Sequence, residues 1–296
     1  MQKNIYKKKI QYYWRNIDKK ILFSFVLLFF LGLFFSFSST SSLAGERLNK
    51  NYYFFFSKHL IFSSISLCLM FFISFIELKL LKKSIVPIFI FLFILLILVA
   101  LIGIEVKGSQ RWLNFHFFRL QPIELLKPFF VLMSVQILTV NNAKCSNKDY
   151  VFSFLLLISI IILLINQPDF GQSILLIGTW VSIVFISGIN LFYIFSFFGI
   201  AILFLTSLII FVPEKFGYIT NRLKTFLDPT QGDSFQSEKA LDAIKQGGLK
   251  GEGMGEGILK DRVPEAHTDY IIAVITEEFG SIISILLVLI FFFISF

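Results

Sequence analysis

IVPIFIFLFILLILVALIGI, residues 85–104, carries no charged side chain and, apart from one proline and one glycine, consists only of aliphatic residues and phenylalanine. At 1.5 Å per residue a helix of this run is about 30 Å long, the thickness of the hydrocarbon core of a bilayer. The stretch therefore reads as a transmembrane helix. Seven further runs, at 21–39, 60–78, 123–140, 151–165, 171–189, 191–212 and 270–296, are likewise mostly apolar. The run at 151–165 is short, and the two that follow it nearly touch at Asn190. Of the 296 residues 56% are hydrophobic, 40 are phenylalanine and only 16% are charged, against about 25% charged in soluble domains. The expectation is an all-α fold: a polytopic transmembrane helix bundle of about eight spans, forming one domain over residues 1–296 with a large extracytoplasmic loop at 213–269. The first run is preceded by twenty residues and lacks a persuasive cleavage site, so it reads as a signal anchor.

Lysine and arginine in the short loops orient the bundle. Seven lie in residues 1–20, three more are Lys79, Lys82 and Lys83, and Lys144 and Lys148 follow in the fourth connection. The opposite loops hold Arg47, Lys50 and Lys58, then Lys107, Arg111 and Arg119, and none at 166–170. The N-terminus is expected in the cytoplasm and the third, fifth and seventh connections outside. This bias accounts for the net charge of +8, and no nucleic-acid binding is read into it. Cys68 falls within a span and Cys145 on the cytoplasmic side, so no disulfide and no structural metal framework is expected.

The polar chemistry is concentrated on the outward side. Residues 213–269 hold eight Lys/Arg and ten Asp/Glu, with six glycines in QGGLKGEGMGEG, 246–257. Such a run either wraps phosphate oxygens with backbone amides or is a flexible loop. It is not a Walker loop, because no Gly-Lys-Ser/Thr follows. In VKGSQRWLNFHFFRLQPIELLK, 106–127, Pro122 suits the first turn of a helix and Glu124 complements its dipole. The helical period then places Gln121, Glu124 and Lys127 on one face. Arg111, Trp112 and Lys127 read equally as interfacial anchors. NQPDFG, 166–171, repeats the device, with Asp169 read as a dipole-complementing residue of structural role.

VPEAHTDYIIAVITEEFG, 263–280, sets Glu265, His267, Thr268 and Asp269 before the last run and Glu277 and Glu278 within it. In a continuous helix these two acids lie roughly 12–14 Å beyond Asp269, where each ionised carboxylate costs on the order of 2.5 kcal/mol or more unless paired or hydrated. They are expected to face a bundle interior or a wet cavity, to pair with Lys127 or Arg111, or to be protonated. A carboxylate at the membrane boundary, such as Asp269, suits a general base, and arginine and lysine on the same side suit phosphate. The combination points to an outward site for an amphipathic phospholipid-like substrate.

GSQRWLNFHFFRLQPIELLK (108–127), NQPDFGQSILL (166–176) and the stretch from Arg222 to Gly280 closely resemble the SEDS family, the polytopic proteins of bacterial shape, elongation, division and sporulation. FLDPTQGDSFQSEKALDAIKQGG and PEAHTD resemble the division-type members more than the elongation-type ones. The resemblance implies a peptidoglycan glycosyltransferase that polymerises lipid II, the undecaprenyl-pyrophosphate disaccharide-peptide, at the outer face of the cytoplasmic (inner) membrane at the division septum. It implies a class B penicillin-binding protein and other divisome proteins as partners. It assigns Asp269 as catalytic base and Arg111 and Lys127 as ligands of the pyrophosphate, with Gln121, Glu124, His267 and Thr268 in substrate binding. No cofactor is implied, and a divalent cation is left open. A lipid II flippase, an elongation-type polymerase and a non-catalytic scaffold are the alternatives. The family has about ten spans, so the last two are expected to be absent here. Phe235 stands where the family has tyrosine, and Glu252 and Glu256 add acid among the loop glycines.

Overall fold

A computed structural model describes residues 14–15, 17–39, 53–106, 109–115, 118–139, 145–211, 235–259, 262–263, 266 and 270–296. The chain folds as two compact units, one made of Met1–Phe75 with Glu214–Phe296 and the other of Ile76–Pro213. In chain order the elements are α1 (Lys19–Ser39), α2 (Phe54–Ser74), α3 (Leu78–Ile102), β1 (Ile104–Val106), β2 (Ser109–Phe115), β3 (Phe118–Leu120), α4 (Pro122–Thr139), α5 (Asn147–Asn166), α6 (Phe170–Ile186), α7 (Leu191–Phe211), α8 (Phe235–Gly247), α9 (Ile271–Phe279) and α10 (Ser281–Ser295).

Among the described residues five helices, α1 to α5, are long and apolar enough to cross a membrane. Of the remaining runs, two form the shorter apolar helices α6 and α10, and α7 is an apolar helix over Leu191–Phe211. Their lipid-compatible faces carry large apolar side chains in the open, among them Phe91, Ile94, Phe152, Leu155, Phe195 and Phe292.

In the central unit hydropathy alone cannot say which face of α3 to α6 turns inward, because every face is apolar. Shape and small polar groups decide. The buried positions fall at three- and four-residue steps: Phe89, Leu92, Leu96 and Val99 on α3, Ile123, Leu126 and Phe130 on α4, Leu157, Ile160 and Leu164 on α5, and Leu176, Trp180 and Val184 on α6. That spacing is one face of a helix. Lipid solvates these side chains as well as protein does, so packing and interhelical hydrogen bonds drive association. Ser153 is fully buried and its hydroxyl receives the Trp180 indole N–H at 3.1 Å, linking α5 to α6. The start of α5 is fixed locally, since Ser146 and Asp149 form a reciprocal capping box.

Two expectations are corrected. The fold is not wholly α-helical: β1, β2 and β3 form a small antiparallel sheet in that order, with Val106 opposite Ser109 and Phe115 opposite Phe118. And the run at 270–296 is not one helix. It breaks at Gly280, whose φ of +84° and ψ of 166° only glycine adopts readily. Apolar runs flank the break on both sides, and the polar residues beside it, Glu277, Glu278 and Ser281, do not by themselves mark a helix end.

The glycine stretch explains the break. It is neither a phosphate cradle nor a free loop but a turn laid backbone-on-backbone against the α9–α10 junction. The N–H groups of Glu252 and Gly253 donate to the carbonyls of Glu277 and Glu278 at 2.9 and 3.1 Å, and Ser281 N–H donates to Gly248 O at 2.9 Å. A Cβ on Gly247 would stand 2.1 Å from Thr276 O, and one on Gly280 2.2 Å from Leu249 O. No side chain fits at such a crossing.

Candidate functional site

One end of the central unit gathers the polar side chains singled out between 106 and 171. There α3 ends, the sheet follows, α4 begins and α5 turns into α6. Arg111, on β2, reaches the α5–α6 turn: Nε donates to Gln167 O at 3.4 Å, a terminal nitrogen donates to Pro168 O, and the other terminal nitrogen lies 3.6 Å from the Asp169 carboxylate. Gln121, just before α4, donates its amide to the same carboxylate at 3.5 Å. One turn on, Lys127 pairs with Glu124 at 2.6 Å, and Glu124 also accepts from Gln172 of α6 at 2.8 Å. Gln167 is buried and anchors the turn to α3 by donating to Leu96 O at 3.3 Å.

Asp169 is only 5% exposed. Burial pushes its carboxyl above the usual carboxylate range; Arg111, the Gln172 backbone N–H and Lys127 pull it back, while Glu124 adds to the rise. Its side chain makes no cap hydrogen bond of ordinary geometry with α6. The role read for it from sequence, dipole complement of the next helix, is therefore the smaller part of what it does. Its larger part is to receive Arg111 from a different element. Gln167 and Gln172 escape the sequence reading, although two amides around a Pro-Asp pair in an apolar chain are a visible signal.

Formally the cluster is balanced, with two cations and two carboxylates. Arg111 and Lys127 both remain partly accessible, whereas Asp169 is covered. The arrangement can hold an anion if the accessible cations turn from their carboxylates to phosphate oxygens, and a guanidinium already fixed by two carbonyls loses little freedom in doing so.

Asp269, His267 and Thr268 lie outside the described residues, as does Glu265. The unit that contains them does define the surroundings of Glu277 and Glu278. Both are buried at the end of α9. Glu277 accepts the backbone N–H of Leu259 at 2.7 Å, and Glu278 accepts from Ser38 of α1 at 3.0 Å. The cost of immersing the two acids is offset inside their own unit by a loop amide and a hydroxyl.

Several membrane-crossing helices around a buried core, with a charged network at one helix end, define a multi-pass integral membrane protein. The chain belongs to the FtsW/RodA/SpoVE family, the SEDS proteins: the family model, described as "Cell cycle protein", matches residues 18–296 and so runs through both units. The chain is 32% identical over 275 residues to the "Probable peptidoglycan glycosyltransferase FtsW" of Caulobacter vibrioides (strain NA1000 / CB15N), covering 92% of this chain and 69% of that protein. It is 33% identical over 286 residues to the protein of the same name from Wigglesworthia glossinidia brevipalpis, covering 94% and 74%. Among solved structures it resembles a chain from "Structural coordination of polymerization and crosslinking by a peptidoglycan synthase complex", with a TM-score of 0.73, 21% identity and coverage of 94% of this chain and 76% of that one. It also resembles the rod shape determining protein RodA of Thermus thermophilus, with a TM-score of 0.59, 20% identity and coverage of 95% and 73%. At these identities the two structural likenesses speak for the fold.

Proposed function

We propose that the chain is a peptidoglycan glycosyltransferase that polymerises lipid II into glycan strands on the outer face of the cytoplasmic membrane during septal cell-wall synthesis. Membership of the family and the names of its 32–33% identical relatives support the activity. The observation that carries the site is the meeting of Arg111, Gln121, Glu124, Lys127 and Asp169 at one end of the central unit.

In this reading the eight apolar runs are eight spans, the N-terminus is cytoplasmic, and the 213–269 segment is outside. A sugar 4-hydroxyl attacks the anomeric carbon of a neighbouring lipid-linked sugar. Asp269 takes the hydroxyl proton as the new C–O bond forms, and the bond to pyrophosphate breaks with its electron pair leaving on the undecaprenyl pyrophosphate. Arg111 and Lys127 stabilise that growing charge, with Gln121, Glu124, His267 and Thr268 holding the substrate. A class B penicillin-binding protein that crosslinks the product is the partner proposed, alongside other divisome proteins at the septum.

A lipid-translocating path would draw on the buried acids. Glu277 and Glu278 instead accept from Leu259 N–H and Ser38, which favours polymerisation. The test is the purified chain, reconstituted with a class B partner and supplied with lipid II. Glycan polymer is expected, and none from Asp269→Asn. Polymer from that variant at the parental rate removes the catalytic assignment, and lipid translocation without polymer replaces the reaction itself.

A further inference from the structure

The β2–β3 hairpin carries a feature the proposed reaction does not use. Phe115 and Phe118 are directly opposite each other, with rings stacked at 5.5 Å between centroids and 22° between planes. They are 44% and 46% exposed. Side chains alternate along a strand, so Arg111, Leu113 and Phe115 share one face of β2. On that face Leu113 is buried and Arg111 joins the polar cluster. The exposed pair continues the same face beyond its covered part.

The position of the hairpin says what covers it. β1 begins two residues after α3, whose last side chains, Leu101 and Ile102, are 72% and 69% exposed apolar groups at the end of a membrane-crossing helix. β3 ends two residues before α4, also long and apolar enough to cross. Phe118 is four residues from Pro122, a reach of at most about 14 Å. The headgroup zone adds about 5–8 Å on each side of the hydrocarbon core. The sheet is thus tied at both ends to helices long enough to cross a membrane, one of which, α3, ends in exposed apolar side chains, and aromatic rings are favoured at that depth, with a flanking cation in the headgroups. Arg119, exposed and paired across the hairpin with Asn114, stands beside the pair.

We propose that the Phe115–Phe118 pair is a membrane-interface anchor: the hairpin lies against the lipid headgroups, with the two rings inserted at their boundary with the acyl chains. The occupant is the bilayer that α3 and α4 cross. The anchor fixes the height of the strand whose other end holds Arg111 against the α5–α6 turn. It rests on the membrane reading of the chain and not on polymerase activity.

The test is single cysteines at 115, 118 and, as the opposite-face control, 114, each in a Cys68→Ser, Cys145→Ser background, spin-labelled and reconstituted in phosphatidylethanolamine/phosphatidylglycerol vesicles. Collision with dissolved oxygen relative to a water-soluble nickel chelate is expected to be several-fold higher at 115 and 118 than at 114. In the unmodified chain, a phospholipid bearing a photoreactive group near the carbonyl end of its acyl chain is expected to label the peptide containing Phe115 and Phe118. Nickel accessibility at 115 and 118 equal to that at 114, or absence of lipid labelling in the unmodified chain, overturns the proposal. So does shielding that arises only when glycan product or a class B partner is added, which would make the pair a sugar platform or a protein contact.

Discussion

Gly251 and Gly255 have nearly the same φ, +82° and +83°, but different surroundings. Replacing either with alanine places a Cβ in a left-handed conformation, at roughly 1–2 kcal/mol. At Gly255 nothing stands within 4 Å of the new atom, so the conformational cost is the whole cost. At Gly251 the new atom would lie 2.3 Å from Glu278 O, 2.5 Å from Glu278 C and 2.6 Å from Gly280 N, all backbone atoms that cannot rotate aside. The turn must lift by about 1 Å to reach ordinary van der Waals contact. That stretches the Glu252 N–H to Glu277 O and Gly253 N–H to Glu278 O bonds, each worth about 0.5–1.5 kcal/mol net, with about 1–3 kcal/mol for a buried group left unpaired. Gly251→Ala should therefore cost about 2–4 kcal/mol more than Gly255→Ala. At about 2–4 °C per kcal/mol, its thermal midpoint in detergent, followed by far-ultraviolet circular dichroism, should lie roughly 5–15 °C below that of Gly255→Ala. Equal midpoints for the two variants would refute the close backbone crossing and return the glycine stretch to a loop of no fixed packing.

Asp169 gives a pH signature. Its folded pKa is raised by burial, chiefly against the opposing pull of Arg111, so the folded chain binds this proton more tightly than the unfolded chain. The stability the group contributes is full below the unfolded carboxylate pKa and is lost as pH rises through the raised folded value. The parent should therefore gain in thermal midpoint on Asp169→Asn as pH is lowered from about 7 to about 4; a gap independent of pH contradicts this. Arg111→Lys keeps the charge but not the fork that serves Gln167 O, Pro168 O and Asp169, and should lower kcat/KM for lipid II polymerisation by about 10-fold or more, with Arg111→Ala lower still. Parental kcat/KM in Arg111→Lys would show that only charge matters there. Glu277→Gln keeps an acceptor for Leu259 N–H and should stay within about 1 kcal/mol of the parent, whereas Glu277→Leu leaves that donor without it and should lose about 1–3 kcal/mol. Denaturation midpoints separate the two, and equal losses would mean that the charge, not the acceptor, is what the fold needs.

These residues also mark where sequence reading stopped. The helices were legible because each apolar run carries its own evidence: all but the last two residues of the 85–104 run lie in α3, and the run needs no partner to be recognised. The first turn of α4 was legible for the same reason, since Pro122 and Glu124 are local signals. The sheet at 104–120 was not, although the buried Leu113 between Trp112 and Asn114 shows the alternation that a short strand leaves. Its seven-residue β2 sits inside a motif whose aromatic and basic residues invite an interfacial reading. Arg111 and Lys127 were found as chemistry, but the partner of Arg111 lies 58 positions away at Asp169, and a local capping explanation was sufficient to hide it. The glycines at 247, 251 and 280 were visible as a composition, while their reason is the backbone of a segment some 30 residues distant. The two failures share a cause. Local conformational rules account for a residue as soon as they find one sufficient role, and a membrane chain, whose interior and exterior are equally apolar, offers no hydropathy contrast to reveal a second. The buried polar contact is then the informative feature: Trp180 to Ser153, Gln167 to Leu96 O, Arg111 to Asp169 and Glu277 to Leu259 N–H each connect elements that apolarity alone leaves free to rotate. In such a chain the few polar side chains that stand within or beside apolar runs fix how the helices are turned, and the candidate site is the place where the largest number of them meet.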